Sequence, residues 1–442
     1  MKKKAVPIVL LISLLLVTLA CSKDDEPPIV ITEEIDEGPD TEVPTEPEEE
    51  EPPVIMGTVE VFNSLRTYDG LVLVNDAGNN RAFLMDKDAR LKHEWPLSNN
   101  LGNDAFLLNN GKILASLEAD EPKITLGGQG GKLQFIAADG TVEWNFEYSS
   151  EDAETHHDAE LLPNGNVLAM VWERRTQEVA EEAGSNSQGD VFPEALIEVN
   201  PATNEIVWEW HAWDHIIQDF DDTKSNYGDV AANPQLIDVN YVTIENGDIM
   251  HGNGISYDAA NDVIYLSVNF FHEVWVIDHS TTSQEASSST GGDFGKGGDL
   301  LYRFGNPEAY RNTMGTRLFN NNHYPNLLQG EDTGKMLIFT NGNGIGQSTV
   351  YELQLPTTFT VLPNTDNEPE VVWSFTDPDL YSPRVSGAVK LPNGNRMITE
   401  GDYGIWEVTE DGEVVWKFQA DGFFWRAYHF DADAPEVLSL GF

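Results

Sequence analysis

Cysteine is almost absent: Cys21 is the only one in 442 residues. No intrachain disulfide can form, and paired-cysteine metal or redox motifs are excluded with it. Positive charge is scarce too, with 25 Lys and Arg against 75 Asp and Glu and a formal net charge of −50. Nucleic acid is therefore excluded as a partner, because phosphate binding needs a basic face. An anionic small substrate meets long-range repulsion and has to be captured by local cations or oriented dipoles. Helical periodicity is nearly missing, with a weak trace only around 173–184. The one long apolar run, in "MKKKAVPIVLLISLLLVTLAC", is too short to persist as a membrane-spanning helix.

That run has another use. Three lysines precede it and Ala20 sits directly before Cys21, the layout of a lipoprotein signal. Residues 1–20 read as a cleaved signal peptide and Cys21 as the lipidated residue; a plain signal peptide would leave Cys21 incidental. Residues 21–55 are acidic and Pro-rich, with too little apolar surface to fold, and read as a disordered tether. The "CSKDDE" start resembles the acidic export tag of bacterial surface lipoproteins. It implies an outer-membrane location, on the periplasmic or cell-surface side, with membrane contact only through the lipid. Residues 56–442 remain for one large domain, expected as a monomer.

Within that domain a phrase recurs. "ARLKHEW" ends at Trp95, followed by "GTVEWNF" at 140–146, "NEIVWEW" at 204–210, "DLLYRF" at 299–304, "PEVVWSF" at 369–375 and "GEVVWKF" at 412–418. Each alternates as a strand does and ends in an aromatic. A second phrase, as in "LLNNGKILA", "LLPNGNVLA" and "LPNGNRMIT", is a hairpin with an Asn-Gly turn. Repeats of several short strands at roughly 50–80 residues mean a β-propeller, and six aromatic-ended strands predict six blades. The segment "FFWRAYHF" is expected to pair with "GTVEVFN" or "GLVLVND" and fasten the last blade to the first.

Aligning the hairpins puts Asn103, His157, His251, His323 and Ser386 at one repeat position, directly after an aromatic-ended strand. That position should begin the innermost strand of a blade, so three histidines converge on one mouth of the channel. A lone histidine at a strand start is usually a hydrogen-bonded structural residue; three in register are harder to assign that way. His156 should point away from the channel if the strand is regular. His211 and His215 are expected on a lid and His279 at a turn. Insertions at 173–195, 211–240 and 281–298 are expected to cap one face, with Trp210, Trp213 and Phe220 as an aromatic wall.

The stretches "HHDAELLPNGNVL", "HGNGISYDAANDVIYLSVN", "NHYPNLLQGEDTGKMLIFTNG" and "SPRVSGAVKLPNGNRMITEG" resemble the bacterial arylsulfate sulfotransferases, in order from about 150 to 430. The resemblance implies a six-bladed propeller that moves a sulfuryl group from a phenolic sulfate ester to a phenolic acceptor, with no cofactor and no metal. It further implies His323 as the nucleophile that carries the group as sulfohistidine, and His157 and His251 as sulfuryl-binding residues. Two positions depart from the family pattern. Tyr324 follows the nucleophile where Asp is usual, and Asn269 stands where an arginine normally holds the sulfate. Asn269 and Asn253 are then expected as uncharged donors, and Arg384 and Arg426 are candidates for the missing cation.

Other readings are open on the sequence alone. Three histidines on a ring resemble a zinc or iron site. Quinoprotein dehydrogenases also have Trp-ended repeats, but with eight blades and adjacent cysteines. A surface propeller that captures sulfated or other glycans without chemistry would use the same ring.

Overall fold

The computed structural model describes residues 52–441. The signal, Cys21 and most of the expected tether lie outside the described residues. Six antiparallel sheets form six blades. Blade 2 runs Leu101–Leu107, Ile113–Glu118, Gly131–Ile136 and Val142–Glu147 from channel to rim; blade 3 runs Ala153–Leu161, Val167–Glu173, Glu194–Asn200 and Glu205–His211. Blade 4 opens on Gly252–Asp258, blade 5 on Asn322–Leu327 and blade 6 on Gly387–Lys390.

Blade 1 joins two distant parts of the chain. Its innermost strand, Phe424–Phe430, pairs with Leu71–Asp76, followed by Arg81–Asp86 and Leu91–Trp95. "FFWRAYHF" thus meets "GLVLVND". The other expected partner, "GTVEVFN", instead adds Thr58–Phe62 as a fifth strand on the outer edge of blade 6.

The strands differ as their neighbours require. Inner strands are covered on both faces and are buried almost throughout. The outer strand of blade 3, "EIVWEWH", alternates, burying Trp208 and Trp210 while Glu205 and Val207 face solvent. Apolar side chains of adjoining blades interlock: Val167, Ala169 and Val171 of blade 3 pack with Leu114, Leu133 and Trp144 of blade 2.

The repeated aromatic has a specific task. Trp95 Nε1 donates to the Gly111 carbonyl (3.2 Å), Trp144 to Asn204 Oδ1 (2.7 Å) and Trp208 to Thr281 Oγ1 (3.2 Å). Trp373 donates to the Glu410 carbonyl (2.9 Å) and Trp416 to the Lys87 carbonyl (2.8 Å), while blade 4 uses the Tyr302 hydroxyl on the Asn367 carbonyl. Each acceptor lies in a turn or connection of the next blade, so six clasps run once round the ring and close on blade 1. Each contributes about 1 kcal/mol net as a hydrogen bond, beyond the burial of its ring.

The three insertions do not share a face, contrary to expectation. Those after Glu173 and His211 leave at the end where the histidines lie, but the one after Asp278 leaves from the opposite end of blade 4. The first holds a short helix, Gln177–Glu182, in the region with the helical trace.

Candidate active site

Five of the six innermost strands lose register with their neighbour where they pass the channel. In blade 3 the residues opposite Met170 and Ala169 are His156 and Ala159, so His157 and Asp158 form a bulge. His157, His251, Asn103, Tyr324 and Ser386 have positive φ (53°, 53°, 121°, 55° and 90°). A bulge re-aims side chains that a regular strand would send to alternate faces, and here it delivers consecutive residues to the channel in two layers.

The upper layer holds the histidines. The rings of His157 and His251 are 5.0 Å apart, and Trp425 of the closing strand lies 5.5 Å from His157 and 5.8 Å from His323. Trp425 therefore occupies the sixth ring position. The sequence alignment missed it, because the closing strand has no Asn-Gly hairpin to register on. The other two positions are Asn103 and Ser386.

Each ring histidine has a different partner. His323 Nδ1 is 2.7 Å from Asn341 Oδ1. The Asn341 amide nitrogen donates to the carbonyls of Ser382 (2.9 Å) and Val385 (3.0 Å), which fixes its oxygen toward His323. The proton of His323 is therefore on Nδ1 and the lone pair on Nε2. Burial, together with the neighbouring His251 and Arg426 charges, pushes His323 down to about 3, so the imidazole is neutral. His251 is the opposite case: burial pulls it down, but Asp248, with Oδ2 at 2.5 Å from Nδ1, more than offsets this and leaves it above its ordinary value. His157 is held well below its usual range by burial and by the charges of His251 and His156.

His156 does not point away. Because His157 has a left-handed backbone, the two rings meet, Nδ1 to Nδ1 at 2.8 Å, and His156 Nε2 is 2.9 Å from Glu194 Oε2. Gly128, at φ 75°, lies over His157; a Cβ there would come within 2.2 Å of Nε2.

The two asparagines hold backbone. Asn253 Nδ2 (2.7 Å) and Asn269 Nδ2 (3.1 Å) both donate to the Asn322 carbonyl, directly before His323. Asn269 Oδ1 accepts from Asn321 (2.7 Å). They position the blade 5 strand, and Asn269 puts no charge where an arginine would.

The two arginines part company. Arg384 is a surface residue, 64% exposed, paired with Asp402 at 3.1 Å; the structure does not bring it to the ring. Arg426 is buried in the lower layer, donating to Asp158 at 2.9 Å, with Asp104 at 3.8 Å and the face of Tyr324 beneath the guanidinium at 4.0 Å. Tyr324 thus takes the position of a usual Asp and holds the cation by its π face. The expected aromatic wall is also elsewhere. Trp210 is buried with its indole on the Gly298 carbonyl, Trp213 packs on the same core and Phe220 is 65% exposed. The aromatics beside the histidines are Trp425, Trp172 and Phe270. His215 is a brace between Asp299 and the Ala286 carbonyl, and His279 bridges Asp262 and Glu198.

Below the Arg426 layer the channel opens into a cavity of about 740 Å³, lined by Asp104, Asp158, Glu160, Tyr257, Tyr428 and Phe106 among others. Burial raises Asp104 to about 7, and burial with Asp158 raises Glu160 to about 8.

The propeller is similar to several solved structures at low identity. They include the β-propeller domain of Myceliophteria thermophila Cps50 (Swd1), at 10% identity and TM-score 0.40, covering 78% of this chain and 81% of that one. A putative 6-phosphogluconolactonase from Bacteroides fragilis NCTC 9343 has 12% identity and TM-score 0.42, covering 84% and 100%. BamB from Moraxella catarrhalis has 11% identity and TM-score 0.34, covering 86% and 84%. None of these bears on chemistry. No curated protein matches the chain. The family model for arylsulfotransferase (ASST) matches residues 58–423, nearly the whole propeller, and the chain belongs to that family.

Proposed function

We propose that this chain, as an arylsulfate sulfotransferase, moves the sulfuryl group from an aryl sulfate to a phenol through a sulfohistidine at His323. The observation that carries this reading is the tautomer: a neutral imidazole with its proton held on Nδ1 by Asn341 has Nε2 free to attack. Nε2 bonds to sulfur while the S–O ester bond breaks and its electron pair leaves with the aryl oxygen. His251, kept protonated by Asp248, faces the sulfuryl oxygens as the cation that Asn269 does not supply, and gives its Nε2 proton to the leaving phenolate. An acceptor phenol then attacks the same sulfur as the S–Nε2 bond breaks and its electron pair returns to His323, while the phenol's proton goes back to the histidine pair and restores His251. The aryl rings stack against Trp425. Anchorage through a lipid on Cys21 would hold the enzyme at the outer membrane, where exported sulfate esters are met.

The test is intact-mass and peptide spectrometry after mixing the soluble domain with 4-nitrophenyl sulfate. One added sulfuryl mass on the His323 peptide, with a matching burst of nitrophenol, is expected. His323→Ala should show neither. Folded wild-type protein that gives neither signal with several aryl sulfates would sink this reading in favour of a propeller that binds sulfated ligands without turnover.

A further inference from the structure

The mechanism above uses two of the three ring histidines and leaves a buried hydrogen-bonded chain unexplained. Glu194, His156 and His157 are 0%, 1% and 3% exposed. The Gly252 N–H donates to Glu194 Oε1 at 2.6 Å, so that oxygen is an acceptor. The other oxygen, Oε2, is 2.9 Å from His156 Nε2 and receives its proton. His156 Nδ1 is then bare and accepts from His157 Nδ1, 2.8 Å away. His157 in turn is left with a bare Nε2, under the side-chain-free Gly128 and beside His251. Trp172 stacks flat on His156, 4.0 Å between centroids and 5° between planes, and keeps that ring in plane. Two tautomers are set by one carboxylate.

We propose that Glu194 and His156 are positioning residues that make His157 the base of the second half-reaction. This rests on the sulfohistidine reading. The acceptor hydroxyl gives its proton to His157 Nε2 as its oxygen bonds to sulfur and the S–Nε2 bond of His323 breaks. The imidazolium so formed keeps its Nδ1 proton on His156, and Glu194 carries the compensating charge. The proton then returns from His157 to His251, which lost one in the first half-reaction, and the cycle closes without a co-reactant. Acid and base are thus two different histidines, separated by the partner each one has.

Glu194→Gln is a sharp test because Gly252 dictates how the amide sits. Its N–H requires the oxygen at the Oε1 position, so the amide nitrogen faces His156 and can only donate. His156 must then carry its proton on Nδ1, and His157 is forced to the Nε2–H tautomer, which is no base. His156→Phe keeps the stack on Trp172 and removes the link. In both variants sulfation of His323 by 4-nitrophenyl sulfate, followed by the nitrophenol burst, should stay within about threefold of wild type. Transfer from the sulfated enzyme to an added phenol should slow by about 10–100-fold, so sulfohistidine accumulates in steady state. Transfer at the wild-type rate in both variants overturns the proposal, as does an equal loss in both half-reactions, which would mark the pair as structural. If wild-type protein forms no sulfohistidine, the underlying reading fails first, and the two failures are told apart.

Discussion

The two layers of the channel are made by consecutive residues of the same strands, yet they store charge in opposite ways. At the histidine end, burial keeps His323 and His157 neutral, and each ring nitrogen that faces backbone is tied to its own partner. At the other end, Asp158 and Asp104 share one buried guanidinium with Glu160 close by, and Asp104 and Glu160 are pushed toward protonation. Burial acts on both ends equally; the sign of the ionisable group decides the outcome. The lesson is that a propeller channel needs no change of fold to host neutral histidines at one level and an acid cluster at the next. Arg426 is the partition between them.

Removing the partition should have the largest effect. Arg426→Met leaves Asp158 and Asp104 buried without their cation and should cost about 3–5 kcal/mol in urea denaturation at pH 7, with part of the loss recovered at pH 5 as the carboxyls protonate. Next in size is the response of the ends to pH. A histidine with a depressed folded pKa gives stability that is present above about 6.5 and lost as pH falls toward 3, so His323→Asn should flatten the acid limb of the stability–pH curve by roughly 1–3 kcal/mol. His251, raised by Asp248, runs the other way and trims that limb. A carboxyl with a raised folded pKa gives stability that is full below its unfolded value and lost as pH rises through about 8. Glu160→Gln should therefore flatten the alkaline limb, by about 1 kcal/mol because this side chain is partly exposed. If both variants shift the same limb, the two ends are not distinct. The smallest effect belongs to Arg384→Ala: with its charge in solvent on Asp402, turnover of aryl sulfate should change by less than about twofold and stability by under ~0.5 kcal/mol. A tenfold loss of turnover would put that arginine back in the site.

Much of this was legible in the residues. The aromatic-ended strands announced the six blades, and their side chains, five indoles and the Tyr302 hydroxyl, prove to be the clasps that hold each blade to the next. The aligned hairpins set the register that gathered His157, His251 and His323. What could not be read was direction. Strand alternation sends His156 away from His157, and only the positive φ of the bulge brings the rings together. Trp425, rather than the expected Arg426, reaches the histidine ring for the same reason: the bulge passes one residue to each layer. The orienting groups Asn341, Asp248 and Glu194 come from other strands or loops, at separations of 18, 3 and 38 residues, and no local pattern marks the last two. Asn341 alone had a signal, in the "FTNG" that follows a histidine strand.

The closing strand has a consequence in time. Its pairing with blade 1 spans a separation of 347 residues, as in the Phe423 N–H donating to Asp76 Oδ1. Such non-local pairing forms slowly, because the intervening chain must already be compact before the two strands meet. Blades 2 to 5 can therefore assemble with all three histidines in place while the indole beside them and the guanidinium beneath them are still missing. The histidine ring is completed by its last strand, so a nascent or cleaved chain would carry His323 without its floor.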